Sequence, residues 1–306
     1  MRVALDAMGG DHAPSETVAG AVDAAASGID VVLVGDRYRL EPLCNELGVT
    51  LPIIHAPDTV EMEEDPARAI REKPDSSISV AARLVRDGEV AGLVSAGSTG
   101  AALATSAITI GRIEGVLRPA IAAVIPSVPP TILIDAGANP AVGPKHLLQF
   151  ATMGVVVSEI AFGVEDPTVG LLSIGHEPGK GRALERLATA LLNGGQFRFV
   201  GNVEGRDIPS GGVNVVVTDG FTGNVALKSL EGATAWIGAL AEKAGGPLPD
   251  VVQYALDYEN TGGAHLVGVK GVVIIAHGSS SRIAIRNALS MAATSEGMAE
   301  EIGRRL

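Results

Sequence analysis

A single cysteine, Cys44, and few aromatic side chains (Trp 1, Tyr 3, Phe 5) mark this 306-residue chain by scarcity. One thiol excludes an internal disulfide framework and any Cys-ligated metal cluster, and it fits a reducing compartment. With so few aromatics, the core has to be built from Val, Ile, Leu and Ala, the residues that fill parallel strands and the helices covering them. Positive charge is also scarce: 23 Lys and Arg against 35 Asp and Glu leave a formal charge of −12. Such a field repels polyanions and argues against a nucleic-acid or anionic-membrane binder. No Walker A sequence, dinucleotide glycine fingerprint, HExxH, CxxC or EF-hand loop is present, so neither a nucleotide cofactor nor a metal is indicated. The start, MRVALDAMGGDHAP, places Asp6 and Asp11 where a signal peptide needs an apolar stretch, and the chain reads as cytoplasmic. The uncharged run 90–111 has the 22 residues of a bilayer span. Its four glycines and six Ser or Thr residues read instead as a buried strand, a glycine loop and a helix.

What is present points to a large folded α/β protein. Hydrophobic residues make up 46% and charged residues 19%, with a mean hydropathy of +0.31, which excludes a disordered chain. The length predicts one α/β catalytic unit with two lobes. Apolar runs at 2–6, 30–35, 51–56 and 91–95 alternate with helical segments at 15–26, 37–47 and 76–87, the pattern of βαβ units and a mostly parallel sheet. The strands at 120–126 and 131–135, separated by Pro129–Pro130, suggest antiparallel pairing and a lobe boundary near 119–135. Helices are expected at 144–162, 182–192 and 222–244, strands at 168–174, 197–200, 213–219 and 271–277, and one closing helix at 279–303.

Five predicted strands end in a small polar turn: 6–12, 96–100, 135–139, 219–224 and 277–280. In an open parallel sheet such turns line the carboxyl edge, where ligands bind, so that edge is the candidate active site. Glycine admits backbone N–H groups, Ser and Thr donate hydroxyls, and a helix N-terminus favours an anion. Each turn taken alone also reads as a tight connection. His12 and His277 read equally as turn-capping residues or acid–base groups. Lys180, in Gly175-His-Glu-Pro-Gly-Lys-Gly181, and Arg206, in Asn202-Val-Glu-Gly-Arg-Asp207, are cations suited to phosphate or to a surface ion pair. Lys228 lies one helical turn beyond Asn224.

Several of these segments together resemble one family. They are Asp6-Ala-Met-Gly-Gly-Asp-His-Ala-Pro14, Asn202-Val-Glu-Gly-Arg-Asp-Ile208, Asp219-Gly-Phe-Thr-Gly-Asn-Val225 with Lys228, and Gly268-Val-Lys-Gly271 leading to Ile274-Ile-Ala-His-Gly-Ser-Ser280. In order and over nearly the whole chain, they resemble the acyl-acyl carrier protein:phosphate acyltransferases (PlsX family) of bacterial phospholipid synthesis. The resemblance implies transfer of a long-chain acyl group from the carrier-protein thioester to inorganic phosphate. The acyl phosphate formed would feed a separate membrane glycerol-3-phosphate acyltransferase. It further implies a homodimer and a three-layer α/β/α, Rossmann-like fold akin to isocitrate/isopropylmalate dehydrogenase and phosphotransacetylase, without a nicotinamide cofactor. On this reading Lys180 and Arg206 hold phosphate, and Asn224 with the Thr222, Gly223 and Asn224 amides binds phosphate or the oxyanion. Asp219 orients a neighbour such as Lys228. Gly97, Ser98, Thr99, Gly100, Asn139, His277 and Ser279 complete the pocket. Cys44 sits in a predicted amphipathic helix away from the turns, which predicts direct transfer rather than a cysteinyl intermediate.

The chain departs from the family pattern in three places. Ser173-Ile-Gly175 replaces an Asn-Ile-Gly start, Lys180-Gly-Arg182 a Lys-Gly-Asn end, and Gly97-Ser-Thr-Gly100 the commoner Gly-Asn-Thr-Gly. The helical hairpin expected within 222–257 is short and carries one lysine, Lys243, over 231–257. That predicts loss of attraction to anionic lipid, with Trp236, Ile237 and Leu240 facing a dimer partner. Docking of an acidic carrier protein calls for a local basic patch, either Arg68, Arg71 and Lys73 or Arg112 and Arg118. A coenzyme A-dependent phosphate acyltransferase and a non-catalytic scaffold for glycerol-3-phosphate acylation are the alternative readings.

Overall fold

The computed structural model describes residues 1–245, 249, 252 and 258–306. In chain order the first elements are β1 (Arg2–Asp6), α1 (Ser15–Ala26), β2 (Asp30–Gly35), α2 (Arg37–Glu46), β3 (Ile53–His55), α3 (Pro66–Glu72), α4 (Ser77–Arg86), β4 (Gly92–Ser95) and α5 (Thr99–Thr105). Next come β5 (Ala120–Ile125), β6 (Thr131–Ile134), α6 (Pro144–Phe162), β7 (Thr168–Leu172), α7 (Ala183–Leu192), β8 (Arg198–Val203), β9 (Val215–Val217) and α8 (Gly220–Lys243). The last are β10 (Ala264–Val267), β11 (Val272–Ile275), α9 (Arg282–Ala293) and α10 (Met298–Arg305). The chain divides into two compact units, one of Met1–Glu114 with Gly262–Glu300, the other of Gly115–Thr261 with Glu301–Leu306. The first unit is thus discontinuous in sequence.

In the first unit the strand order is β3-β2-β1-β4-β11-β10, parallel except for β10 against β11. Alternation along the strands sends Val3, Leu5, Val31, Leu33, Val94 and Ile274 to one core, where Val18, Ala21 and Ala24 of α1 and Ile285, Ala288 and Leu289 of α9 cover them. Helix α4 packs on β1, β2 and β4 and buries Ile78, Ala81, Ala82, Leu84 and Val85. The result is three layers. Helices α1 and α9 meet at Gly20, where a Cβ would stand 2.6 Å from the Ile285 Cβ and 2.7 Å from the Arg282 carbonyl oxygen. The Arg282 guanidinium and amide donate to Asp23 (2.8 and 2.9 Å) and Glu16 (2.7 Å) of α1, fixing the same crossing.

The second unit orders its strands β5-β6-β9-β7-β8, with β5 antiparallel to β6 and the rest parallel. Ile125, Leu133, Leu172, Val203 and Val216 form a core to which α8 adds Ala226, Leu227 and Leu230. Helix α6 packs against β5, β6, β7 and β9. The expected closing helix is interrupted: Gly297 takes φ +81° between α9 and α10, a conformation that favours glycine. The short strand β10 has no counterpart in the sequence-based expectation. Helix α8 begins two residues earlier than expected, because Asp219 caps it. The second half of the expected 222–257 hairpin lies largely outside the described residues. No helix among the described residues is long and apolar enough to cross a membrane.

Candidate active site

Strands β6, β9, β7 and β8 are parallel neighbours, so the segments that follow them share one carboxyl edge of the second unit. At its centre stands Asp219, whose carboxylate is nearly buried and accepts from the Thr222 amide (2.8 Å) and hydroxyl (2.9 Å). Arg182, directly before α7, donates through Nη2 to both Asp219 and Glu185 and through Nε to Glu185 (3.0 Å). Burial alone pushes the Asp219 carboxyl up, but the Thr222 amide, the Arg182 guanidinium and the Thr222 hydroxyl outweigh it and hold the group below its ordinary value. Asp219 is therefore an ionised acceptor and not a proton donor.

The turn after β6 is organised by Asp135. Its Oδ1 accepts from the amides of Ile121 (3.2 Å), Gly137 (3.2 Å) and Ala138 (2.8 Å), and its Oδ2 from the amide and side chain of Asn139 (both 2.8 Å). Gly220 N–H donates to the Asn139 carbonyl at 2.8 Å, joining this turn to the start of α8. A Cβ at Gly223 would stand 2.0 Å from the Asp135 carbonyl oxygen, so only glycine lets the helix lie this close to the turn. Asn224 follows, exposed, over the Gly137 backbone.

The segments after β7 and β8 carry the cations. The stem of Lys180 passes over Gly175, and among the described residues nothing pairs with its ammonium. His176 bonds Asp207 at 2.6 Å and lies 3.8 Å from Glu204, so the Asp207 carboxylate raises the imidazole above its ordinary value. Arg206 pairs with Glu204 at 2.9 Å.

In the first unit β1, β4 and β11 are likewise parallel neighbours, and their three turns meet at one edge. Asp11 N–H donates to the Gly278 carbonyl (2.8 Å), Ser95 Oγ to Asp6 (2.7 Å) and Gly97 N–H to Ser95 Oγ (3.1 Å). Burial pushes the Asp6 carboxyl up, against the hydrogen bonds of Ser77 and Ser95. Ser98, Thr99 and Gly100 open α5, and His277 bonds Ser279 at 2.8 Å. The expected site residues thus fall into two groups: Gly97, Ser98, Thr99, Gly100, His277 and Ser279 in the first unit, and Asn139, Lys180, Arg206, Asp219, Thr222, Gly223, Asn224 and Lys228 in the second.

Several of the expected residues have partners that the sequence did not indicate. Lys228 pairs with Glu231 at 2.7 Å, and the cation on Asp219 is Arg182. The Thr222 and Gly223 amides are spent on the Asp219 side chain and carbonyl (both 2.8 Å), because Asp219 itself occupies the helix N-terminus offered to an anion. Asn139 is buried and gives its side-chain amide to Asp135 and the Pro119 carbonyl (2.7 Å), so it builds the turn and presents no free donor. Arg206 is half engaged by Glu204. In the Arg68, Arg71 and Lys73 cluster, Arg68 pairs with Glu72 (2.8 Å) and Lys73 with Glu64, while Arg71 bonds the Ala67 carbonyl and keeps its charge. Sequence reasoning gave no role to Arg182, Glu185, Asp135 or His176. Only the Arg182–Glu185 spacing at a helix start hints at one of these pairings, since Asp219 lies 37 residues away from Arg182 in sequence. Cys44 is buried in α2, and burial pushes its thiol up, away from the thiolate a nucleophile needs.

This architecture is the phosphotransacetylase fold. A phosphotransacetylase from Streptococcus pyogenes superposes with a TM-score of 0.66 over 96% of this chain and 93% of its own, at 17% identity. The sequence model described as "Fatty acid synthesis protein" matches residues 1–300. The phosphate acyltransferase of Desulforamulus reducens is 46% identical over 95% of this chain and 92% of its own length. That of Desulfitobacterium hafniense is 45% identical over 100% and 98%. The chain belongs to the phosphate acyltransferase family of fatty acid synthesis proteins and is an acyltransferase.

Proposed function

We propose that this enzyme transfers a long-chain acyl group from an acyl carrier protein thioester to inorganic phosphate. A phosphate oxygen attacks the thioester carbonyl carbon, and a tetrahedral oxyanion forms. It collapses with cleavage of the C–S bond; the thiolate leaves with the electron pair and takes up a proton, and acyl phosphate remains. Because a thiolate leaves readily, the protein's task is to hold an anionic nucleophile against the carbonyl and to stabilise the oxyanion. The observation that carries this reading is the pair of open donors on the carboxyl edge of the second unit: the Lys180 ammonium and the Asn224 side-chain amide, neither with a partner among the described residues. Lys180 serves the phosphate, and Asn224 the phosphate or the oxyanion. The acyl phosphate passes to a membrane glycerol-3-phosphate acyltransferase. The exposed Trp236, Ile237 and Leu240 of α8 meet a second copy of the chain. The test is phosphate-dependent release of free thiol from palmitoyl-acyl carrier protein, with palmitoyl-coenzyme A in parallel. Carrier-selective release with acyl phosphate formed is expected. A preference for coenzyme A would replace the acyl donor in this reading, and no release with either would leave a scaffold.

A further inference from the structure

The guanidinium of Arg182 offers five N–H groups. The Nε–H and the Nη2 hydrogens face the two carboxylates, with Thr222 Oγ1 at 3.4 Å from Nη2. Among the described residues nothing accepts from Nη1. The side chain is 58% exposed, whereas those of Asp219 and Glu185 are 4% and 6% exposed. The guanidinium is planar, so clamping its Nε–Nη2 edge against two buried carboxylates also fixes the direction of Nη1. The backbone adds to the clamp, since the Arg182 amide donates to Glu185 at 2.6 Å. An arginine present only to neutralise buried carboxylates has no need of an outward, unengaged pair of donors two residues from an unengaged lysine.

We propose that Arg182 binds the attacking phosphate through its Nη1 edge, with Glu185 and Asp219 as the positioning residues that aim it. This rests on phosphate being the acyl acceptor. The two carboxylates balance the charges of Arg182 and Lys180. The site therefore captures its dianion through directed N–H donors at short range and not through a long-range field, in keeping with a chain of charge −12. With the Nε–Nη2 edge taken by the carboxylates, Nη1 gives the phosphate a charge-assisted hydrogen bond in a fixed direction, beside the Lys180 ammonium.

The experiment compares the wild-type enzyme with Arg182→Lys. Lysine keeps a cation beside Asp219 and Glu185 but removes the outward Nη1 donor; alanine would leave two buried carboxylates unpaired and is the poorer choice. Calorimetric titration with inorganic phosphate is expected to show affinity lowered about tenfold or more, the effect of losing one charge-assisted hydrogen bond. In turnover, KM for phosphate rises while KM for the acyl donor stays within about twofold, since the donor makes no use of this edge. Glu185→Gln, which leaves Arg182 in place but loosens it, raises phosphate KM in the same selective way. Phosphate affinity unchanged in Arg182→Lys, or a wild-type enzyme that binds no phosphate, overturns the proposal. Should the wild type bind phosphate through Arg182 yet release no thiol, the acyl-transfer reading fails and the anion site stands.

Discussion

Asn224 projects from the first turn of α8 with its side-chain amide exposed and unpaired among the described residues. A polar side chain left without a partner on a strand-carboxyl edge is either solvated or reserved for a ligand, and turnover separates the two. Asn224→Ala is expected to lower kcat by about 10²–10³, the loss associated with one oxyanion donor, with little change in melting temperature. Near-normal turnover would remove Asn224 from the mechanism. The motif that contains it was legible in the sequence, as were Lys180 and Asp219. The partner of Asp219 was not. Lys228 stands on the same helical face, but its ammonium reaches Glu231 first, and Arg182 arrives at Asp219 from another strand end.

At the scale of elements, local pattern located β1, α1, β2 and α6 almost to the residue, because apolar periodicity and turn residues agree there. It missed β10, four residues whose strand character comes from pairing Ala264 and His265 with Ile275 and Ile274 of β11. His265 within β10 is fully buried, and its Nε2 pairs with Ser295 Oγ at 2.9 Å beyond the end of α9. Nδ1 has no partner among the described residues, and burial pushes the imidazole down to about 4. Unfolding restores an ordinary value near 6.5, so between those two values the unfolded chain binds the extra proton. Stability is then complete above about pH 6.5 and falls as pH drops toward 4, by about 3 kcal/mol. Urea unfolding across this range should show that slope in the wild type and a flatter one in His265→Leu. Equal slopes would mean that the strand-to-helix tie does not titrate.

At the scale of the whole molecule, the first unit is assembled from residues far apart in the chain. Strand β11 pairs with β4 from Val272↔Gly92 to Ile275↔Ser95, and α9 covers α1, so residues 262–300 complete a core begun in the first 114. Val272, Ile274, Ile285 and Leu289 alone bury side chains worth about 1.5–3 kcal/mol each, together about 6–12 kcal/mol. That rivals the full stability of an ordinary domain, about 5–15 kcal/mol. A fragment of residues 1–261 is therefore expected to lose cooperative unfolding of its first unit by circular dichroism, and supplying residues 262–306 in trans is expected to restore it. A fragment that unfolds with the full-length midpoint would show that this completion is dispensable. By itself the sequence determined the α/β class, the mostly parallel sheet, the glycine turns at strand ends and the phosphate acyltransferase family, since each follows from short-range periodicity, turn chemistry or contiguous motifs. Only the tertiary structure decided that β11 lies against β4, which of the turns belong to each unit, and that Arg182 and not Lys228 holds Asp219. Those contacts join residues tens to hundreds of positions apart, and their geometry exists only once the strands have taken their order.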